Sequence, residues 1–256
     1  MIGAASSRAP RSLRLIRRLI AFAGRRILRL KLELVGAENL PRAADGRPAG
    51  GWIAAGLPHV TWIEPFVMLV LLPPEPRLIW FGDGRVIERS RWRRFVSGRL
   101  GGIEPIWPGG GAKAFAAHVA AVEGVIDAGA IFAMFPEAGP AVPPGFARPV
   151  QPGIGYFALR SRASIVPIVF GGTHELFLGR QIQMRVLPAA SWHRLAGVAP
   201  DTAPPDPGSP AERDLATAIA AGLAALTAAE VARAHASTEP APGTRKRALW
   251  LTHAFR

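Results

Sequence analysis

Cysteine is absent from this chain of 256 residues. Its absence excludes disulfide bonds, thiolate metal ligands and cysteine nucleophiles, but it does not identify a cellular compartment. The sequence also lacks a Gly-x-Ser-x-Gly elbow, which argues against an α/β-hydrolase. No internal repeat is present. At this length we expect one large domain with appendages, which is sufficient to bury a sizeable core.

Acidic residues are absent from the first 31 positions, which hold nine arginines and lysines. The remainder carries 22 basic and 18 acidic residues, so the net charge of +13 belongs mainly to the N-terminus. From Ser12 to Leu30, apolar residues recur at helical spacing among the arginines. Because arginines interrupt every apolar run, we predict neither a secretory signal nor a membrane-spanning helix in this segment.

A basic amphipathic helix is typical of proteins that lie in the interface of an anionic membrane. We therefore predict that residues 1–30 bind an anionic membrane surface and hold a peripheral or monotopic protein at the cytoplasmic face of the cell membrane. Two other interpretations are a helix docked on the protein's own core and a nucleic-acid arm. A nucleic-acid partner is not predicted, because the chain lacks a basic strand surface with interleaved aromatic residues.

Apolar runs alternate with helical patterns along the rest of the chain, as is typical of α/β folds with sites at strand ends. We predict a single α/β domain with a mixed, mostly central β-sheet flanked by helices, plus the N-terminal amphipathic membrane-associated helix. The predicted strands are 32–36 at one edge, 52–55, 78–81, 130–134 in the centre, 165–170, and 181–187 at a second edge.

Composition also divides the chain. The α/β domain is predicted over residues 31–198, and residues 199–208 form a proline-rich linker. Ser209-Pro210-Ala211-Glu212 is a capping box that opens a C-terminal helix over 209–236. Residues 237–256 form a basic tail. Leu249-Trp250-Leu251 in this tail could touch a membrane, although a disordered tail is the simpler interpretation.

One histidine and one carboxylate, His59 and Glu64, lie between a predicted buried strand and a predicted buried helix. Pro65 fits the first helical position, which places Glu64 at the cap. A turn followed by a helix can fold His59 back onto Glu64. Such a pair suits general-base chemistry, because the carboxylate fixes the imidazole tautomer and the free nitrogen takes a proton. The alternative is a loop histidine beside an ordinary acid of the first helical turn.

Three further segments accompany this pair, and the four together carry a resemblance. Gly102-Ile103, Phe135-Pro136-Glu137 and Val166-Pro167-Ile168 follow the His59-to-Glu64 turn in that order. The set resembles the motifs of the glycerolipid acyltransferases, and within them the 1-acylglycerol-3-phosphate (lysophosphatidic acid) acyltransferases. The resemblance covers roughly residues 31 to 190.

The resemblance implies an acyltransferase that moves a fatty acyl chain from an acyl thioester, acyl-CoA or acyl carrier protein, to a hydroxyl of a lyso-lipid. It implies His59 and Glu64 as the catalytic pair, with no metal, no cofactor and no covalent enzyme intermediate. Backbone amides around Gly101, Gly102 or Ala138 could stabilise the oxyanion. The predicted substrate-binding residues are Phe135, Pro136, Glu137, Gly102, Ile103 and Lys113.

The chain also departs from the family pattern. Glu64 stands where the family has aspartate, and Trp107-Pro108 replaces an arginine of the second motif. A second arginine is missing after Phe135-Pro136-Glu137, where Ala138-Gly139-Pro140 follows. In the family these arginines are associated with the phosphate of the acceptor. A membrane-bound scaffold with a decayed site is therefore the alternative to an enzyme.

Two basic segments could replace the missing arginines. Gly109-Gly110-Gly111 before Lys113 could form an anion-binding nest at a helix start, or simply a flexible connection. The stretch from Arg85 to Arg99 is basic and aromatic. It is either a solvated helix face or a patch that meets lipid headgroups or the phosphates of the acyl donor.

Overall fold

The computed structural model describes residues 8–9, 11–84, 88, 91, 102–106, 111–138 and 142–253. Seven strands of this part of the chain form one sheet in the order β1-β7-β6-β2-β5-β3-β4. The strands are β1 (Lys31–Val35), β2 (Trp52–Leu57), β3 (Leu78–Asp83), β4 (Ile103–Ile106), β5 (Ile131–Met134), β6 (Ile165–Gly171) and β7 (Gln181–Val186). All pairings are parallel except that of β6 with β7, so the predicted mixed sheet is confirmed.

Helices cover both faces of the sheet. They are α1 (Arg11–Phe22), α2 (Glu64–Leu71), α3 (Gly111–Asp127), α4 (Gly153–Ser161), α5 (Trp192–Ala196) and α6 (Pro210–Thr238). A π-helical segment over Ala23–Ile27 continues α1, and short 3₁₀ turns occur at Ala37–Asn39 and Leu249–His253. Residues of α3, α4, α5 and α6 share one buried cluster with the sheet, and residues of α2 share another on the opposite face. The predicted architecture of a central sheet flanked by helices is therefore confirmed.

The centre of the sheet is the parallel group β6, β2 and β5, and every residue of β2 is buried. A parallel strand buried on both faces needs an unbroken apolar run, which the sequence provides at 52–57. β1 lies at an edge as predicted. β7 does not, because it pairs with both β1 and β6. Its alternating pattern marks a strand with one polar face, where Gln183 hydrogen-bonds Glu33 and Ser237, rather than an edge.

The N-terminal helix is docked on the protein's own core along one side. The Arg17 guanidinium donates hydrogen bonds to the carbonyls of Pro73 (3.1 Å) and Leu72 at the C-terminus of α2. Leu13 is buried against Leu69 of that helix. Carbonyls in the last turn of a helix have no hydrogen-bond partner within the helix, so Arg17 supplies donors that the end of α2 lacks. Docking on the core, one of the sequence-based alternatives, is thus observed.

The C-terminal helix α6 begins as the capping box predicts, with Ser209 Oγ accepting the Glu212 N–H at 3.1 Å. The Glu212 carboxylate, however, accepts the Gly208 N–H and pairs with Arg160. By length and composition α6 is the one helix of the described residues that could cross a membrane. It nevertheless packs one face on the sheet and its neighbouring helices through buried residues that include Leu223.

The basic tail is ordered over its last described turn. Leu251 is buried, and its carbonyl accepts the Trp62 Nε1–H at 2.9 Å. Thr252 Oγ1 accepts the Leu176 N–H at 2.9 Å. The prediction of a disordered tail is therefore wrong for these residues, because Leu251 joins the cluster on the α2 face of the sheet.

Candidate active site

The turn after β2 brings His59 onto Glu64, as the sequence predicts. His59 Nδ1 lies 3.2 Å from Glu64 Oε2. The helix α2 starts one residue earlier than expected: Glu64 is its first residue, Pro65 the second, and Ile63 precedes it as the cap. Pro65 is tolerated there because the first-turn N–H groups have no partner within the helix.

The Glu64 side chain is completely buried, at 0% exposure. Its carboxylate accepts hydrogen bonds from Val60 N at 3.3 Å, Thr61 N at 3.0 Å and Thr61 Oγ1 at 3.1 Å, in addition to its contact with His59. A buried carboxylate without such donors would be costly. The turn therefore provides the donors that hold the carboxylate at the imidazole.

Contact between Nδ1 and the carboxylate fixes the tautomer of His59, because the nitrogen that donates to Glu64 carries the proton. Nε2 is then the nitrogen with a lone pair. The His59 side chain is 42% exposed, so a substrate hydroxyl can reach it. This is the arrangement of a general base oriented by a carboxylate.

Thr61 is a site residue that the sequence analysis missed. Both its backbone N–H and its hydroxyl donate to Glu64. The signal was present, since Thr61-Trp62-Ile63-Glu64 matches the Thr-x-x-Glu pattern in which a glutamate reaches back to a backbone N–H.

Phe135, a predicted substrate-binding residue, stacks on His59. The two ring centroids are 4.1 Å apart with an interplanar angle of 21°. Trp80 of β3 lies beyond Phe135 at 6.0 Å between centroids. A Cβ on Gly56 would stand 2.5 Å from the Phe135 ring, so only glycine in β2 leaves room for this stack. Phe135 thus limits the imidazole to one plane.

Glu137 holds the backbone of the same histidine. One oxygen, Oε2, accepts the His59 N–H, and Oε1 accepts the Arg148 N–H at 2.6 Å. Burial raises the pKa of Glu137 above the usual glutamate value, although these two hydrogen bonds and the charges of His59 and Arg148 oppose the shift. Its predicted role in binding substrate stays a prediction. What the structure adds is that both oxygens already have backbone partners.

Gly102 directly precedes β4, and Ile103 is the first residue of this strand, which pairs with β3. A Cβ on Gly102 would stand 2.6 Å from the Leu78 carbonyl oxygen, and the Gly102 carbonyl accepts the Trp80 N–H at 2.5 Å. Close approach of the two strands therefore explains this glycine. One suggested oxyanion donor is already engaged, because the Ala138 N–H donates to the Pro149 carbonyl at 3.2 Å.

Lys113 lies in the first turn of α3 and is exposed. The segments 107–110 and 92–101, which include the expected Trp107-Pro108, Gly101 and most of the basic patch, are outside the described residues. The roles of Lys113 and of this patch in binding substrate stay predictions. Pro136 is buried directly after Phe135, and its carbonyl accepts the Gln151 N–H at 2.7 Å.

His174 is a second residue that the sequence analysis missed. It follows β6 at the same edge of the sheet, and its Nε2 is buried without a hydrogen-bond partner. Burial lowers the pKa of His174, and the charges of His235 and Arg180 lower it further. The charge of Glu64 acts in the opposite direction but does not reverse the shift. The neutral imidazole is therefore favoured. No three His, Asp or Glu side chains of the described ranges are grouped so that they could hold a metal ion.

No protein-family model matches the chain, and no curated protein sequence matches it. Its structure is similar to the crystal structure of the 1-acyl-sn-glycerophosphate (LPA) acyltransferase PlsC from Thermotoga maritima, with a TM-score of 0.51 and 14% sequence identity. The similarity covers 84% of this chain and 81% of that chain. At this identity the comparison shows a shared fold.

Proposed function

We propose that the protein is an acyltransferase that moves a fatty acyl chain from an acyl thioester to a hydroxyl of a lyso-lipid. The observation that carries this proposal is the His59 imidazole, whose Nδ1 contacts the buried Glu64 carboxylate and which is partly exposed to solvent. The likeness in fold to an LPA acyltransferase supports it. The order of the four motifs along the chain supports it as well.

In the proposed reaction His59 Nε2 takes the proton from the acceptor hydroxyl as its oxygen attacks the thioester carbonyl. A C–O bond forms, the C–S bond breaks, and the leaving thiolate recovers a proton from His59. Glu64 stabilises the imidazolium that exists between these two proton transfers. Donors for the oxyanion are required, as in any acyl transfer. The thioester can come from acyl-CoA or from an acyl carrier protein.

We further propose that the protein binds an anionic membrane from the side of its N-terminal helix. The undocked side of this helix exposes Leu15, Leu19 and Phe22. Leu249 and Trp250 of the C-terminal turn are also exposed. Hydrogen bonds from Gly179 N to Leu28 O and from Leu178 N to Arg247 O join the two segments through one loop. Exposed apolar residues next to arginines are typical of a surface that enters a lipid interface.

The direct test is mass spectrometry of the lipids formed when purified protein in detergent meets a panel of lyso-acceptors. Acyl-CoA and acyl carrier protein should be supplied in separate reactions as donor. We expect an acylated product from at least one lyso-lipid. If no acceptor is acylated with either donor, the enzyme proposal is rejected in favour of a scaffold with the same fold.

A further inference from the structure

Arg148 lies close to the candidate catalytic pair, and its side chain makes no hydrogen bond or ion pair with the residues that the structure describes. Its backbone N–H donates to Glu137 Oε1, and the other oxygen of that carboxylate accepts the His59 N–H. The Glu137 carboxylate therefore bridges the backbone N–H groups of Arg148 and His59. The Arg148 charge also lowers the pKa of Glu137, in agreement with the backbone contact between the two residues.

The loop that carries Arg148 is anchored on both sides. Glu137 and Val150 form an antiparallel bridge, and the Ala138 N–H donates to the Pro149 carbonyl. Ala147 packs against Val169 of β6 and against the C-terminal half of α6. These contacts fix the backbone at position 148 although it lies 11 residues after Glu137 in sequence.

One nitrogen of the half-buried Arg148 guanidinium is unsatisfied. Its Nε atom is buried and has no hydrogen-bond partner. The described residues offer the Arg148 side chain neither a hydrogen bond nor an ion pair, whereas Arg160, also partly buried, pairs with Glu212. A buried donor of a charged group that lacks an acceptor is costly, and a bound anion would remove that cost. Guanidinium groups suit phosphate because they can donate two parallel N–H bonds.

We propose that Arg148 binds the anionic, phosphate-containing headgroup of the acyl acceptor. This inference rests on the proposed function, since it places the headgroup on the molecule whose hydroxyl meets His59. In a lyso-lipid the phosphate and the free hydroxyl are only a few bonds apart. The phosphates of acyl-CoA are separated from the thioester by the long pantetheine arm, so they do not fit a group this close to His59.

Binding to detergent-solubilised protein tests this inference without requiring turnover. The probes are lysophosphatidate, a lysophosphodiester, neutral monoacylglycerol and acyl-CoA. Wild type should bind the two anionic lyso-lipids more tightly than monoacylglycerol. Arg148→Gln should weaken anionic lyso-lipid binding about 10- to 100-fold, the range for a charged hydrogen bond, and leave monoacylglycerol and acyl-CoA within about twofold. Arg148→Lys should bind the anionic lyso-lipids with an affinity between those of wild type and Arg148→Gln. Lysine keeps the positive charge but cannot donate two parallel N–H bonds to one phosphate.

Arg213→Gln is the matched control, because Arg213 is an exposed arginine of α6. It should bind all four probes as wild type does. Wild-type binding without preference for an anionic headgroup overturns the inference, as does a preference unchanged in Arg148→Gln. Weakening confined to acyl-CoA overturns it too. If the wild type transfers no acyl group but shows the Arg148-dependent preference, the proposed function fails and the anion site stands.

Discussion

The turn after β2 and the N-terminal helix are both recognisable in the sequence, but they are built on different principles. In the turn, the polar groups that position the imidazole have specified partners: Glu64 contacts His59 and Thr61, and the His59 N–H donates to Glu137. On the undocked side of α1, Arg18 and three apolar side chains, Leu15, Leu19 and Phe22, are exposed without such partners among the described residues. If the functions we propose are right, the comparison teaches that the reaction site depends on the position of each atom, whereas the membrane surface depends on the sum of its charges and apolar area.

The largest effect is expected at the imidazole. His59→Ala should lower turnover by about 10²- to 10⁴-fold, the usual contribution of a general base. The protein should stay folded, because the side chain is partly exposed. Initial rates of acyl transfer, with circular dichroism as the folding check, measure this. His253→Ala, at an exposed histidine of the C-terminal turn, should keep wild-type rates. Near-normal activity in folded His59→Ala would end the general-base account.

The next effect concerns the carboxylate under the imidazole. Glu64→Gln should lower turnover by at least about tenfold. The amide of glutamine would place an NH₂ group against the hydrogen-bond donors that the Glu64 carboxylate now accepts. The substitution should also destabilise the fold by about 1–3 kcal/mol. Glu64→Asp keeps the charge and should keep substantial activity. Denaturant midpoints and rates on the same samples separate the two effects, and a fully active Glu64→Gln would contradict the role given to this carboxylate.

Glu137 gives a further test of the site, because it contacts the backbone N–H of His59 and not the imidazole. Glu137→Gln should lower kcat about tenfold, since only one of the two N–H groups keeps an acceptor. As the pH falls through the raised pKa of Glu137, the wild type should lose activity in the same way. A raised folded-state pKa means that protonation of this group favours the folded state, so this loss is not unfolding. The pH profile of Glu137→Gln should lack this acid limb; an unchanged limb would assign it to another group.

Arg17 and Arg18 compare the docked and free sides of one helix. Arg17→Met should cost about 1–2 kcal/mol of unfolding free energy, because carbonyls at the end of α2 lose their donor. Arg18 is exposed, and Arg18→Met should stay within about 0.5 kcal/mol of wild type. Chemical denaturation of both variants tests this. Equal destabilisation would show that the two sides of α1 do not differ as described.

Single arginines on the exposed side should have the smallest effect. Arg25→Gln should weaken binding to anionic vesicles about fivefold, from about 1 kcal/mol per basic residue, and added salt should reduce the difference. Vesicle sedimentation measures it, with neutral vesicles as the reference. Substitution is preferable to deleting residues 1–30, because Leu13 and Leu30 are buried. Binding that ignores both Arg25 and salt would place the membrane contact elsewhere.

The fold could be predicted well from the sequence because its strands are apolar runs bounded by turns. The contact between His59 and Glu64 could also be predicted, since a five-residue spacing is short enough for local geometry to decide. Arg148 could not, because its position depends on how a proline-rich loop returns to Glu137. The interior position of β7 was missed for a similar reason: a polar strand face looks the same at an edge or between two strands.

The central claim is direct attack by an acceptor hydroxyl that His59 activates. Intact-protein mass spectrometry during incubation with an acyl thioester tests it most directly, first without acceptor and then with it. The account predicts no mass increase of the protein in either case, and acylated lipid only when acceptor and His59 are both present. A protein-bound acyl group that forms without acceptor and disappears into product when acceptor is added would contradict it.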